Sequence, residues 1–248
     1  MVPCQKNLSS RTRNLQHKPS ADSTMTTESK IYWSVGILSM LIIVGSFFMP
    51  GNERRTDDLP WHVEHPTPDT VRVFGLTLGE SATNDAELRF KEAAVPSLFK
   101  APDGKMVAEV FFEQVNLAGL TSKIVLSINV PDAELAGMYE RGLRMAATGS
   151  GKKITMTSED ISRLRTLPIG GLTYLPNLRL DESMIIKRFG QPTQRVKETK
   201  SGLVHWLYPQ NGLDITLGSG GKPLLQYVPP RDFDRLLRPL VANGEVLK

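Results

Sequence analysis

The chain has 248 residues, of which 40% are hydrophobic, 23% charged and only 7% aromatic, with 20 glycines and 17 prolines. This composition excludes collagen, low-complexity disorder and a polytopic transporter. The single cysteine, Cys4, excludes an intramolecular disulfide, a thiolate zinc site and an iron–sulfur cluster built by one chain.

The net charge of +4 is concentrated in residues 1–30, which carry five basic and two acidic side chains. Residues 51–248 hold 25 basic and 24 acidic side chains, so they lack the positive field that nucleic-acid binding needs. We therefore expect no nucleic-acid partner. Residues 1–30 are rich in Ser, Thr, Asn and Gln, and they are predicted to form a disordered cytoplasmic tail.

The first predicted element is a transmembrane helix from Ile31 to Met49, a run of residues without any charge. At 1.5 Å per residue, a helix of this length spans close to the ~30 Å hydrocarbon core of a bilayer. A cleaved signal peptide is the alternative, but its hydrophobic region is typically about 7–15 residues long and ends at a small-x-small site. The run here is longer and ends in Phe47-Phe48-Met49-Pro50, which favours an uncleaved anchor.

The orientation of this anchor follows from the basic residues beside it. Arg11, Arg13, Lys18 and Lys30 precede the run, whereas only the Arg54-Arg55 pair closely follows it. The positive-inside rule then predicts a single-pass protein of the inner membrane, with a cytoplasmic N-terminus and a periplasmic C-terminal domain.

The lipid bilayer is therefore an expected partner, through residues 31–49. The sequence leaves open whether translation starts at Met1 or at Met25, and a start at Met25 would remove most of the charge bias that sets the orientation. Residues 50–69 contain four prolines and alternate in charge, which predicts an extended tether.

Alternation of apolar and polar residues predicts strands beyond the tether, at 106–113 and 124–128. Four more short strands with Gly- and Asn-rich turns between them predict an antiparallel meander near the C-terminus: 194–199, 203–208, 212–217 and 223–228.

Capping residues predict three helices among these strands. The first runs from about 131 to 146. The second starts at Ser158 and stops before Pro168, and the third opens at Asp181 and stops at Gly190.

A faint internal repeat suggests how these elements are organised. Leu76–Ser81 reads LTLGES and Leu178–Ser183 reads LRLDES, and each precedes a helical stretch that ends in Arg-Phe. We therefore predict the α+β fold class, with the N-terminal transmembrane helix followed by two degenerate helix-plus-antiparallel-sheet units. The first unit covers residues 70–177, and the second covers residues 178–248 and includes the four-stranded meander.

The second predicted unit carries a recognisable run of residues. Between Leu180 and Tyr208 it contains Phe189-Gly190-Gln191-Pro192, then Trp206-Leu207-Tyr208 and a hairpin. This run resembles the SmpA/OmlA (BamE-like) small-lipoprotein family, whose relatives include the β-lactamase-inhibitor-protein fold. That family has a short helix, a Gly-x-Pro exit and antiparallel strands with a Trp-x-Tyr. The resemblance implies a non-enzymatic, protein-binding module of the cell envelope.

The chain shows few residues in catalytic or metal-binding patterns. His62 and His65 are bracketed by Pro60 and Pro66, so an extended chain is expected to point the two imidazoles in opposite directions and to form no shared metal site. The P-loop-like run 146–153 follows a helix and precedes a strand, which is the reverse of a phosphate-binding loop. It is predicted to be a turn, as is the Gly-rich run at 218–221.

The remaining acid–base candidates also have structural explanations. His205 alternates with Leu203 and Leu207, which favours a partly buried, hydrogen-bonded imidazole over a catalytic base. Acidic pairs at predicted helix starts are accounted for by the helix dipole: Asp132 with Glu134, Glu159 with Asp160, and Asp181 with Glu182.

Three aromatic residues are the candidate partner contacts. Trp206 and Tyr208 project to the same face of one strand, where they either form the core or meet a partner. Phe111, between Glu109 and Glu113, is the better candidate for an exposed contact because its row is otherwise charged.

The predicted function is therefore a protein-binding or envelope-assembly module that contacts another envelope protein, with no catalytic residues, cofactor or metal. The alternatives are a lipid- or small-ligand-binding periplasmic domain and a carboxylate-dependent enzyme or accessory subunit that uses Asp181 and Glu182.

Overall fold

The computed structural model describes residues 56–149 and 151–247, in which antiparallel strands make up most of the regular structure. The strands are the following: β1 (Glu64–Thr67), β2 (Thr70–Val73), β3 (Leu76–Thr77), β4 (Val95–Lys100), β5 (Met106–Leu117), β6 (Leu120–Ile128), β7 (Arg144–Thr148), β8 (Gly151–Thr155), β9 (Ile169–Pro176), β10 (Gln194–Glu198), β11 (Val204–Tyr208), β12 (Leu213–Leu217), β13 (Pro223–Tyr227) and β14 (Gly244–Leu247). The α-helices lie between strands: α1 (Thr83–Phe90), α2 (Asp132–Glu140), α3 (Ser158–Leu164), α4 (Glu182–Phe189) and α5 (Asp234–Asn243).

Eleven of these strands form one antiparallel sheet in the order β14-β10-β11-β12-β13-β9-β6-β5-β4-β8-β7, and β1, β2 and β3 form a second, small sheet. Strand β9 joins the two halves of the large sheet. It pairs on one side with β6, where Leu172 lies opposite Leu126, and on the other with β13, where Tyr174 lies opposite Leu225. The strands before and after residue 177 therefore share a continuous hydrogen-bonded sheet.

One face of the large sheet packs against α1, α2, α3, α4 and the small sheet to form the core. The aromatic centre of this core contains Phe74, whose ring centroid lies 4.8 Å from that of Tyr174 and 6.2 Å from that of Tyr227. Burial raises the pKa of the Tyr174 hydroxyl to about 12. Phe74 and Gly75, with φ of 53° and 77°, form the tight turn that joins β2 to β3 and directs the Phe74 ring inward.

The opposite face of the large sheet is covered by α5 at its C-terminal end. Leu236, Leu237 and Leu240 of this helix pack against Val196 of β10 and Leu207 of β11. The helix thus lies over the strands that are furthest from β4 and β5. The C-terminal strand β14 then pairs with β10 and forms that edge of the sheet.

The predicted fold class, a transmembrane helix followed by two helix-plus-sheet units, is wrong. The observed structure is mostly one antiparallel sheet of eleven strands, which β9 makes continuous across the predicted boundary between residues 70–177 and 178–248. The repeated hexamers indicate only that two helices begin in similar local sequences. They carry no information about the long-range pairing that merges the two sheets.

No helix in residues 56–149 or 151–247 has both the length and the apolar character needed to cross a membrane. The longest of these α-helices, α5, has 10 residues, whereas a spanning helix needs ~20. The predicted span from Ile31 to Met49 lies outside the described residues, and so does the predicted tail, residues 1–30.

Residues 56–69, assigned from the sequence to the extended tether, pack against the rest of the described chain. The carboxylate of Asp58 pairs with Arg89 of α1 at 2.5 Å. The hydroxyl of Tyr227 donates a hydrogen bond to the carbonyl of Pro60 at 2.6 Å. Pro60, Pro66 and Pro68 therefore lie in a segment fixed by an ion pair and by a buried tyrosine; Pro50 lies outside the described residues.

The C-terminal meander is confirmed, because β10, β11, β12 and β13 pair antiparallel in sequence order. The predicted limits of α4 are confirmed as well. The Asp181 carboxylate accepts the Met184 N–H at 2.8 Å, and the helix ends at Gly190, whose φ is 81°. The helix predicted at 131–146 is too long: α2 ends at Glu140, and the residues that follow form β7, which pairs with β8.

Candidate protein-binding face

The sheet face that points away from the core contains Phe111. We call the outward side of β4, β5, β6, β9 and β13 the outer face. On it, Phe111 of β5 lies opposite Val95 of β4 and Val125 of β6. Phe111 and Val125 are half-buried and Val95 is 54% exposed, so this apolar row reaches solvent.

Charged side chains border one end of this row. The ammonium of Lys123 lies 5.8 Å from the centroid of the Phe111 ring and pairs with the carboxylate of Glu113. Both charged side chains are about half exposed, so their ion pair contributes little to stability. They form a polar border beside an aromatic side chain, an arrangement found in protein interfaces.

Glu109 lies next to Phe111 on the outward side of β5, opposite Ser97 and Ser127. Burial raises the pKa of its carboxyl group, and no lysine or arginine among the described residues forms an ion pair with it. A half-buried carboxylate without a cation is poorly stabilised in its charged form. A cationic side chain from a partner would supply the missing counter-charge.

The outer face continues from β6 toward the C-terminal strands. Val125 lies opposite Thr173 of β9, and Thr173 lies opposite Gln226 of β13. Both polar residues are half-buried. Beyond β13, the strands pass under α5, which covers Leu207. The outer face therefore combines a central apolar row with polar side chains that can form hydrogen bonds.

The other two aromatic candidates are not accessible to a partner. Trp206 and Tyr208 are 3% and 5% exposed and belong to the core, where the Tyr208 ring packs 6.2 Å from Phe189. The Tyr208 hydroxyl donates to the Gly190 carbonyl at 3.0 Å, and burial raises its pKa to about 12. Phe111 is thus the one of the three predicted contact residues that lies at the surface.

His205 is partly buried and hydrogen-bonded, as predicted. Its Nδ1 atom lies 2.8 Å from Asp214 Oδ2 and 3.1 Å from Thr216 Oγ1. Burial lowers the pKa of His205, but the hydrogen bond and the charge of Asp214 raise it more, so the net pKa is raised. Burial also raises the pKa of Asp214. Sequence reasoning missed Asp214, although the register of the predicted hairpin places it one strand away from His205.

The acidic side chains at the helix starts have structural partners: Asp181 accepts the Met184 N–H, Glu182 pairs with Arg195, Asp160 with Arg141, and Glu134 with Arg163. The hydrogen bond to the Met184 N–H lowers the pKa of Asp181, as expected for a helix cap. The Gly-rich run at 218–221 connects β12 to β13, as predicted. The run that begins at residue 146 leads from β7 into β8, so it follows a strand and not the predicted helix.

A different set of potential metal ligands does come together. His62 lies beside Asp57 and Glu64, although His65 lies outside this group. Glu64 and His65 lie in the extended strand β1, as expected, and His62 and His65 share no cluster. Asp57 reaches His62 because hydrogen bonds from the Leu59 N–H and the His62 N–H fold residues 56–62 into turns.

No protein-family model, curated protein or solved structure matches this chain.

Proposed function

We propose that this chain is a protein-binding module without catalytic activity, and that it binds another cell-envelope protein through the outer face. The observation that carries the proposal is the pair Phe111 and Glu109. A half-buried aromatic ring lies beside a half-buried carboxylate that has no cation among the described residues. Aromatic side chains at protein interfaces commonly carry a large share of the binding free energy.

The chemistry of this pair defines the expected partner. Its contacting segment would place an apolar side chain on Phe111 and a lysine or arginine on Glu109. Removal of both charges from water strengthens such an ion pair, and the cation relieves the unfavourable burial of the carboxylate. A partner without a cation at this point would bind poorly.

The two alternative functions receive less support. A depression of about 580 Å³ beside Leu88 and Lys91 is wide open to solvent, so it would enclose little of a ligand. The more enclosed apolar cavity beside Trp61 and Phe189 has a volume of about 70 Å³, whereas small-molecule pockets usually have about 300–1,000 Å³. A lipid or similar ligand would not fit this cavity. The Asp181 and Glu182 carboxylates are occupied as a helix cap and in an ion pair, which does not favour their use as catalytic groups.

Two further parts of the proposal rest on the sequence. The resemblance of residues 180–208 to the BamE-like family suggests a role in envelope assembly. The location at the inner membrane, with the described domain in the periplasm, stays a prediction.

Cross-linking inside cells tests both the binding face and the location. A photo-cross-linking amino acid at Val125, on the outer face, is expected to capture a specific partner that resides in the cell envelope. The matched control is Leu88, which is 80% exposed on α1. Equal capture from both positions would contradict the outer face as the binding site, and a cytosolic partner would contradict the predicted location.

Phe111→Ala is expected to weaken binding of the captured partner at least about tenfold, because the central aromatic contact is lost. Glu109→Gln is expected to weaken it about threefold to tenfold, because the counter-charge for the partner's cation is lost. Affinity is measured with purified proteins, and Leu88→Ala serves as the control with an expected change below twofold. The proposal fails if Phe111→Ala binds as tightly as Leu88→Ala.

A further inference from the structure

Three potential metal ligands meet near the beginning of the described chain. Asp57 lies in a 3₁₀ turn, His62 follows it and Glu64 begins β1. The Nε2 atom of His62 lies 3.9 Å from Asp57 Oδ1 and 3.5 Å from Glu64 Oε1. One ligand atom from each residue lies within 4.8 Å of the other two.

The spacing of these atoms suits a tetrahedral metal ion. Zinc binds imidazole nitrogen and carboxylate oxygen at about 2.0–2.2 Å, so two ligands of a tetrahedral zinc ion lie about 3.4 Å apart. The separation of 3.5 Å between His62 and Glu64 already matches this value, and Asp57 needs to approach His62 by about half an ångström. All three ligand atoms lie within 4.8 Å of one another, so small side-chain rotations bring them together. The three side chains are 40–46% exposed, so they can adjust and a water molecule can complete the coordination.

The backbone around these ligands is held in place by the rest of the domain. The Leu59 N–H donates to the Thr56 carbonyl and the His62 N–H donates to the Leu59 carbonyl, each at 3.0 Å. Between them, the Pro60 carbonyl accepts the hydroxyl of Tyr227. Binding an ion therefore requires little additional ordering of the chain, which reduces the entropy that opposes binding.

The local charge also favours a cation. Asp57 and Glu64 provide two negative charges, and Arg72 provides one positive charge, with its Nη1 atom 3.6 Å from Glu64 Oε2. Arg72 contacts the Glu64 oxygen that is turned away from His62. Glu64 Oε1 therefore remains directed toward His62, and Arg72 can help to fix the orientation of the carboxylate.

We propose that Asp57, His62 and Glu64 bind one zinc ion. An imidazole with two carboxylates is a donor set that zinc uses, and the ion would link the 3₁₀ turn to β1. Binding to the folded state alone would stabilise that state. This site is separate from the outer face, so neither proposal depends on the other.

A zinc titration of the full chain tests the site. The parent protein carries Cys4→Ser and His17→Ala, which remove a thiol and an imidazole that could bind zinc elsewhere, and a chelator removes any bound metal first. Calorimetric titration with zinc chloride is expected to show one ion per chain. His62→Ala and Asp57→Asn are each expected to bind at least about tenfold more weakly.

The matched control is His65→Ala, which removes an exposed histidine three positions away and is expected to leave zinc affinity unchanged within about twofold. Arg72→Gln removes a nearby positive charge and is expected to tighten binding about threefold. Zinc at a hundredfold excess over Kd is expected to raise the Tm of the parent by about 5–10 °C and to leave that of His62→Ala unchanged. Circular dichroism verifies that each variant is folded.

Two results would overturn the site. One is a parent protein that binds no zinc. The other is equal zinc affinity in folded His62→Ala and His65→Ala.

Discussion

Replacement of His205 by leucine is expected to lower the free energy of unfolding by about 3 kcal/mol at pH 7. Asp214 is 1% exposed, and its Oδ1 atom has no hydrogen-bond partner among the residues that the structure describes. The His205 contact to Oδ2 is therefore the main stabilisation of a buried carboxylate, and its loss leaves the charge without compensation. Urea denaturation of the wild type and His205→Leu measures the difference.

The pH dependence of this variant follows from the raised pKa of Asp214. A carboxyl group with a raised pKa binds its proton more tightly in the folded state, so its contribution to stability is full below its ordinary pKa of 3.8 and decreases as the pH rises through the folded value. Below pH 6.5, where the contribution of His205 to the wild type is full, the deficit of His205→Leu should therefore shrink as the pH is lowered to about 4, because protonation neutralises Asp214.

The wild type should show its own dependence on pH through His205. Because the pKa of this imidazole is raised above 6.5, its contribution is full below pH 6.5 and decreases as the pH rises through the folded value. The same decrease should be missing from His205→Leu. A variant that loses less than about 1 kcal/mol, with the pH dependence of the wild type, would contradict a stabilising role for the His205–Asp214 contact.

The double variant with leucine at positions 205 and 214 separates two explanations. If the deficit of His205→Leu arises from an uncompensated charge, removal of that charge should recover most of the lost stability, because apolar residues can replace a buried ion pair. If it arises from poor packing of leucine under α5, the double variant should be at least as unstable as the single one.

Phe74→Ala is expected to lower the free energy of unfolding by about 3–5 kcal/mol, the range for truncation of a buried phenylalanine. Phe74 is 0% exposed and contacts the rings of Tyr174 and Tyr227, so its removal leaves a cavity between the small sheet and the large sheet. Alanine would also have to keep the positive φ of this turn position. Denaturant unfolding at fixed pH measures the change.

Phe111→Ala is the control because it makes the same truncation on the outer face. Its side chain is half-buried and not fully buried, so we expect a smaller loss of about 1–2 kcal/mol. A similar cost for both substitutions would contradict the distinction between the core face and the outer face. The measured stability of Phe111→Ala also shows whether the variant is folded when its partner binding is tested.

The parts of the fold that could be predicted are those with short-range signals. The meander from β10 to β13 was predictable because apolar alternation and turn residues are local, and the limits of α4 follow from the cap at Asp181 and the break at Gly190. Local signals do not say which strands become neighbours across a long separation. The pairing of β9 with both β6 and β13 lacked any such signal, and the predicted two-unit fold was wrong for that reason.

The residues of the candidate binding face could also be predicted only in part. Alternation identified Phe111, Glu109 and Glu113 as one row of β5, and it placed Trp206 and Tyr208 on one face of β11. It could not say which face of β11 becomes core, because apolar residues occur on both faces and helices cover both. Asp57 and Asp214 were missed because each meets its histidine only through a turn or a strand pairing.

Because β9 forms hydrogen bonds along both of its sides, it would be an unpaired edge strand in either half of the large sheet without the other. During synthesis, the backbone N–H and C=O groups on one side of β9 have no partner strand until residues 225–227 have left the ribosome. An unpaired edge strand of this kind readily pairs with strands of other molecules. The nascent protein is therefore most exposed to misassembly in the interval between the synthesis of β9 and that of β13, when a chaperone would protect it most.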